Sequence, residues 1–265
     1  MLRIYLRFWQ VNWSEQWQYR ANLLMYLFYW LVSPIVYLSV WTTIARAQGS
    51  VSGLTANDFI TYYLTLLVVD QLTSEITIHI LAYKIQDGTM SGDLLRPVHP
   101  ILTGALINNI AFKVLNLMAF IPIWIVLFLL FRPDYSAVTP ASILMSLPGI
   151  LIGFCSNFLF GAMITCMAFW TTRVYSVSQF FYLVVVLVSG QFVPLQLMPP
   201  VVQAIAKALP FQMYRFFPIE IILNRVSPDE ILRTYALNLV WLGVFYLLFR
   251  WVWREGVSRF SAVGA

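Results

Sequence analysis

Long uncharged apolar runs, separated by short polar stretches, set the pattern of this chain. No charge lies between Arg20 and Arg46, and the run ANLLMYLFYWLVSPIVYLSVWTTIA fills that gap. A helix needs about 20 predominantly apolar residues to cross the hydrocarbon of a bilayer. On that criterion the spacing predicts six spans, at about 21–45, 59–83, 110–131, 142–170, 174–193 and 235–253. The last has a short apolar core, with Arg250 placed to snorkel and Trp251 and Trp253 suited to the interface. The runs are continuous, whereas the strands of a membrane β-barrel alternate over segments of about ten residues. The expected fold is an all-α membrane protein with six transmembrane helices.

Residues 1–20 precede the first run and have a different periodicity. Arg3, Arg7, Gln10, Ser14 and Gln18 fall on one helical stripe, opposite Leu2, Tyr5, Leu6, Trp9, Trp13 and Trp17. This is the pattern of an amphipathic helix lying in the headgroup plane. It lacks the apolar core and small-residue cleavage site of a signal peptide. No internal repeat or linker divides the chain, so residues 1–265 are expected to form one domain.

Composition agrees with a membrane class. The 265 residues are 60% hydrophobic and only 10% charged, against about 25% charged in soluble domains. The net charge of +5 does not point to nucleic acid, because Lys and Arg gather at cytoplasmic span ends. With a cytoplasmic N-terminus, that side receives Arg3, Arg7, Arg20, Lys84, Arg96, Lys113, Arg173, Arg250, Arg254 and Arg259. The two short loops on the other side receive only Arg46 and Arg132; the long segment before the last span adds Lys207, Arg215, Arg225 and Arg233, but long segments count less in this rule, so both termini are expected inside. Cys155 and Cys166 share one apolar run and read as small buried hydrophobes.

Soluble-enzyme chemistry finds little support. None of Lys84, Lys113 and Lys207 completes a phosphate-binding G-x-x-x-x-G-K-[ST] loop, so no ATP site or other cofactor is expected on this chain. His79 and His99 have no neighbouring Cys or His cluster, so no metal site is expected. No serine sits in a G-x-S-x-G elbow, and no catalytic residue is assigned.

Three stretches stand out. In DQLTSEITIH, Asp70, Gln71, Thr73, Ser74, Glu75 and Thr77 share a broad face, opposite Val69, Leu72 and Ile76. Charges at bilayer depth usually face a bundle interior or a wet path. Asp70, Ser74 and Glu75 therefore either line a substrate pathway or mark a helix half that projects into water. The apolar stretch after the fifth span carries Pro194, Pro199, Pro200, Pro210 and Pro218. Those breaks forbid one continuous helix, and short helices dipping into the outer leaflet over about 194–222 reconcile prolines with apolarity. The third stretch, KIQDGTMSGDLLRPVHP, reads as a short helix entered near Gly88–Gly92, capped by Ser91 or Asp93 and stopped by Pro97. Its exposed Leu94 and Leu95, rimmed by charge, suit a partner surface, while a plain polar turn is the simpler reading.

Taken together, the interfacial helix, six spans, the Gly92-Asp93-Leu94-Leu95-Arg96-Pro97 run and the S-G-x-x-x-P…P stretch resemble ABC-2-type transporter permeases. The Gly92–Pro97 run is particularly similar to a subfamily that includes proposed viologen exporters. The resemblance covers nearly the whole chain. It implies two permease chains, as a homodimer or with a related permease, above two separate ABC ATPase subunits that carry ATP and Mg. It implies that Gly92, Asp93, Leu94, Leu95 and Arg96 belong to a coupling helix gripped by the ATPase. It implies that the stretch with Pro194, Pro199 and Pro210 forms re-entrant helices at an outer gate. The expected role is ATP-driven export of an amphipathic, lipid-linked or cationic substrate across the cell's inner (plasma) membrane. Two alternatives stand beside it: an ion-driven transporter using Asp70 and Glu75 without an ATPase, and a membrane-bound lipid-modifying enzyme.

Overall fold

The computed structural model describes residues 2–18, 20–75 and 79–260. Among them every regular element is helical, apart from one isolated bridge between Val51 and Leu54. Ile76 and Thr77 lie outside the described residues, as do the side chains of Leu2, Arg3, Tyr5 and Arg20.

The chain opens with α1 (Leu2–Gln18) and α2 (Arg20–Gln48), followed by α3 (Ala56–Thr73) and α4 (His79–Gln86). A five-residue helix, α5 (Met90–Leu94), turns it into a π-helical stretch, Ile101–Leu106, that leads straight into α6 (Ile107–Phe131). Next come α7 (Pro140–Cys166) and α8 (Val174–Val188). The proline-rich stretch contains α9 (Pro200–Ala208) and α10 (Phe216–Ile222), with 3-10 turns at Leu195–Leu197 and Pro210–Tyr214. A long helix, α11 (Pro228–Arg259), completes the chain.

Among the described residues, four helices are long and apolar enough to cross a membrane: Leu24–Gln48, Ile101–Phe131, Pro140–Phe169 and Pro228–Arg259. The stretch expected as a second span, 59–83, is not one helix but two, because α3 stops at Thr73 and α4 starts at His79. The stretch expected as a fifth span holds the shorter apolar helix α8.

The core is built around α3. Phe59, Tyr62, Tyr63, Leu64, Leu66 and Val69 are almost fully buried, against α2, α6 and α10. α3 is buried on nearly every side, its polar Thr61, Thr65, Asp70, Gln71 and Thr73 included, as befits a helix inside a bundle. The longest helices, α7 and α11, pack side by side, with Tyr235 of α11 donating to the Met145 carbonyl of α7 at 2.5 Å. At one end of the bundle, loops converge: Arg225 reaches Asp58 at 2.7 Å, and Thr61 accepts from the Asp134 amide at 3.0 Å. At the opposite end sit α4, α5, the 170–173 turn and the C-terminal turns of α11, joined by Gln86 donating to the Thr172 carbonyl at 3.3 Å.

α1 packs along α6. Asn12, on its buried edge, accepts from Asn108 at 2.9 Å, and Gln16 donates to Asn108 at 3.3 Å. Trp13 covers Phe112 and Leu115, while Leu6, Val11 and Trp17 stay exposed.

Candidate functional site at a broken helix

The break in α3 is made by side chains from other helices. Ser74 has extended backbone (φ −63°, ψ 154°), and its amide returns to the Asp70 carbonyl at 2.9 Å. The last carbonyls of a helix have no partner within it. Here Lys113 of α6 donates to the carbonyls of Gln71 at 3.2 Å and Leu72 at 2.8 Å. Asn157 of α7 donates to the Thr73 carbonyl at 3.0 Å. Each of these three carbonyls therefore has a donor, which is the condition for non-helical backbone away from water. The ammonium also completes the negative end of the helix dipole and sits 4.6 Å from the Phe154 ring centroid.

Just before the break, Asp70 meets Arg215, which joins the 3-10 turn Pro210–Tyr214 to α10. Arg215 Nε donates to Asp70 Oδ1 at 2.6 Å, and the two residues are 3% and 4% exposed. A second guanidinium nitrogen donates to Ser189 Oγ at 3.3 Å. Around this pair, the prolines' stretch is fastened to α3. Thr73 donates its hydroxyl to the Tyr214 carbonyl at 2.5 Å, Tyr62 to the Gly190 carbonyl at 2.7 Å and Tyr63 to the Phe192 carbonyl at 2.7 Å. Gly190 is at φ +82°, and a Cβ there would collide with Phe216 and the Tyr62 hydroxyl. Only glycine fits this turn without strain.

Beside the break opens a cavity of about 670 Å³, within the range typical of ligand sites. Ser74 and Glu75, from the break itself, lie on its wall, and so does Arg215. Asp70 is not in the wall; it stands behind Arg215. Tyr29 and Trp30 of α2, Phe160 of α7 and Tyr182 of α8 give the cavity aromatic faces, and α1 contributes Glu15 and Gln16. The structure thus gathers Ser74, Glu75 and the Asp70 pair at one place. Among the described residues, no group of three His, Cys, Asp or Glu is positioned to hold a metal ion.

The other sequence candidates lie away from the cavity. Pro194 and Pro210 are buried and Pro199 is exposed. Pro210 opens a 3-10 turn, Pro194 and Pro199 precede helical turns, and all three sit where a missing N–H is tolerated. The Gly92–Arg96 run sits at the far end of α4. Gly88 makes the turn there at φ +74°, whereas Gly92 is helical within α5. Neither Ser91 nor Asp93 caps α5, since Thr89 holds the cap position and makes no side-chain bond. Asp93 is instead committed to Lys84 at 2.8 Å and Arg96 at 2.9 Å. Leu94 is half-buried, and Leu95 stands 89% exposed. The Arg96 guanidinium lies 5.7 Å from the Phe8 ring centroid, tying this loop to α1.

The profile of ABC-2 family transporter proteins matches residues 31–264. The chain belongs to this ABC-2 family. No curated protein matches it. An ABC-2 permease is the membrane component of a transport system without an ATP site of its own, and membership implies association with ABC ATPase subunits. Lys113, Arg215, Asn157 and the phenols of Tyr62 and Tyr63 were absent from the residues selected by sequence. For Arg215 a signal existed: a lone charge in the apolar run PFQMYRFFP needs a partner, and Asp70 is one of the few acids within the apolar stretches.

Proposed function

We propose that this ABC-2 chain is the permease subunit of an exporter, pairing with a second permease chain to form the pathway for an amphipathic, lipid-linked or cationic substrate. Separate ATPase subunits, carrying ATP and Mg, drive it. The observation that carries this reading is the cavity at the α3 break, whose wall includes Arg215 of the proline-rich stretch. A binding space and a candidate outer gate thereby share one residue. In this reading the chain crosses the inner (plasma) membrane six times with both termini in the cytoplasm, and 194–222 is re-entrant. Gly92 to Arg96 form the ATPase contact, and Leu95 supports it: so exposed an apolar side chain, braced by the Lys84–Asp93–Arg96 ion pairs, suits a partner surface.

The test is Leu95→Asp. An unpaired charge at a contact centre costs about 3–5 kcal/mol, so the variant should insert normally, yet lose the ATPase in a mild-detergent pull-down and lose ATP-dependent transport. Wild-type recovery of the ATPase with normal transport would refute the docking role. The ion-driven alternative uses Asp70 and Glu75, the first buried and the second on the cavity wall. Transport surviving ATP depletion but abolished by an ionophore would favour it.

A further inference from the structure

The Asp70–Arg215 pair lies between the cavity and the proline-rich stretch, and its burial restricts how it can open. A carboxylate this deeply buried is costly without a positive partner. Arg215 leaves Asp70 only if the carboxyl takes up a proton or another positive charge arrives. Lys113 is close, but its ammonium holds the Gln71 and Leu72 carbonyls, and moving it would strip them. Arg215 is the one Lys or Arg in the cavity wall among the described residues, and His79 is the other basic side chain there, so a replacement with a permanent positive charge comes from the cavity's contents.

Resting on the reading that this cavity lies on the transport pathway, we propose that Asp70 is a cation-binding carboxylate held in reserve by Arg215. An organic cation entering the cavity takes the guanidinium's place, and the exchange frees the gate. The walls fit such a ligand: Tyr29, Trp30, Phe160 and Tyr182 offer ring faces to a cation with a flat apolar body. Glu15 and Glu75 add negative charge. A neutral or anionic molecule of the same shape brings no positive charge to Asp70, so it does not take the guanidinium's place. The displacement reaches the gate because Arg215 fastens both ends of the stretch. Its second nitrogen holds Ser189, and the neighbouring Phe216 amide donates to the Ser189 carbonyl at 2.9 Å.

The test uses the full chain in lipid nanodiscs. The probes are naphthyltrimethylammonium, its neutral tert-butyl isostere and naphthalenesulfonate. The ammonium compound should bind about tenfold or more tightly than the isostere, with the sulfonate weakest. Asp70→Asn should erase that preference. Arg215→Gln removes the competitor, so it should bind the cation more tightly than wild type, by about tenfold; a purely structural arginine would give weaker binding. Arg215→Lys, which keeps the charge but not the fork, should fall between them and serves if the Gln variant does not fold. The gate is read with Leu195→Cys, buried within the stretch, in a Cys155→Ala, Cys166→Ala background. The cation should speed its labelling by a membrane-impermeant maleimide, except in Asp70→Asn. Equal binding of all three probes, no binding of the cation, or weaker binding by both arginine variants would overturn the exchange. None of these outcomes touches the pathway reading, which fails separately if a photoreactive substrate does not label the cavity.

Discussion

A single ammonium secures the end of α3. Lys113 gives two hydrogen bonds, to the carbonyls of Gln71 and Leu72. Leaving a buried acceptor unsatisfied costs about 1–3 kcal/mol. Lys113→Met should therefore lower the melting temperature in detergent by several degrees, at about 2–4 °C per kcal/mol for a chain of this size. Lys113→Arg should recover most of the loss; a Met variant melting like wild type would remove the capping role. At this scale the sequence misleads for a clear reason. Charge marked Lys113 as a cytoplasmic residue at the edge of an apolar run, yet it is only 8% exposed. A lysine next to a span and one inside a bundle read alike until the carbonyls it serves are seen.

At the scale of elements, closeness of backbones matters more than charge. Gly153 of α7 lies under the 3-10 turn Pro210–Tyr214, and a Cβ there would collide with the Met213 carbonyl oxygen. That atom is backbone and has no rotamer to yield. Gly153→Ala should push the turn off α7 and weaken its hold on α3, at a cost of about 1–3 kcal/mol. A detergent melting curve reads the loss. An unchanged curve would mean that the turn moves freely. The proline-rich breaks were legible because proline removes a donor whatever its surroundings. The α3 break was not, since nothing local demands it. Ser74 and Glu75 tolerate helix, and the donors that make the break stable come from α6 and α7, far along the chain.

For the molecule as a whole, the spread of Lys and Arg predicts which end faces the cytoplasm. The loops at 49–55 and 132–139 share one end of the bundle and Gly88 lies at the other, as the contacts of Asp58, Thr61 and Gln86 show. Cysteines at Gly49 or Tyr135 should react with an impermeant reagent outside intact cells, and one at Gly88 should not. Outside labelling at Gly88 would invert the topology. The all-helical membrane class was readable because long apolar runs leave little choice. The Asp70–Arg215 pairing was less so: 145 residues separate its members, and each looks like an isolated misfit.

The capping of α3 also bears on how the chain is made. Its donors lie 41, 42 and 84 residues from the carbonyls they serve. During synthesis α3 is therefore made before either partner helix exists. Until α6 and then α7 follow, the carbonyls at the end of α3 lack these donors, so this part of the fold stays unfinished. A nascent chain arrested before Asn157 lacks the last of these donors, and quality-control proteases meet it as an unfinished helix. The order of translation thus becomes the order in which the cavity's wall is closed.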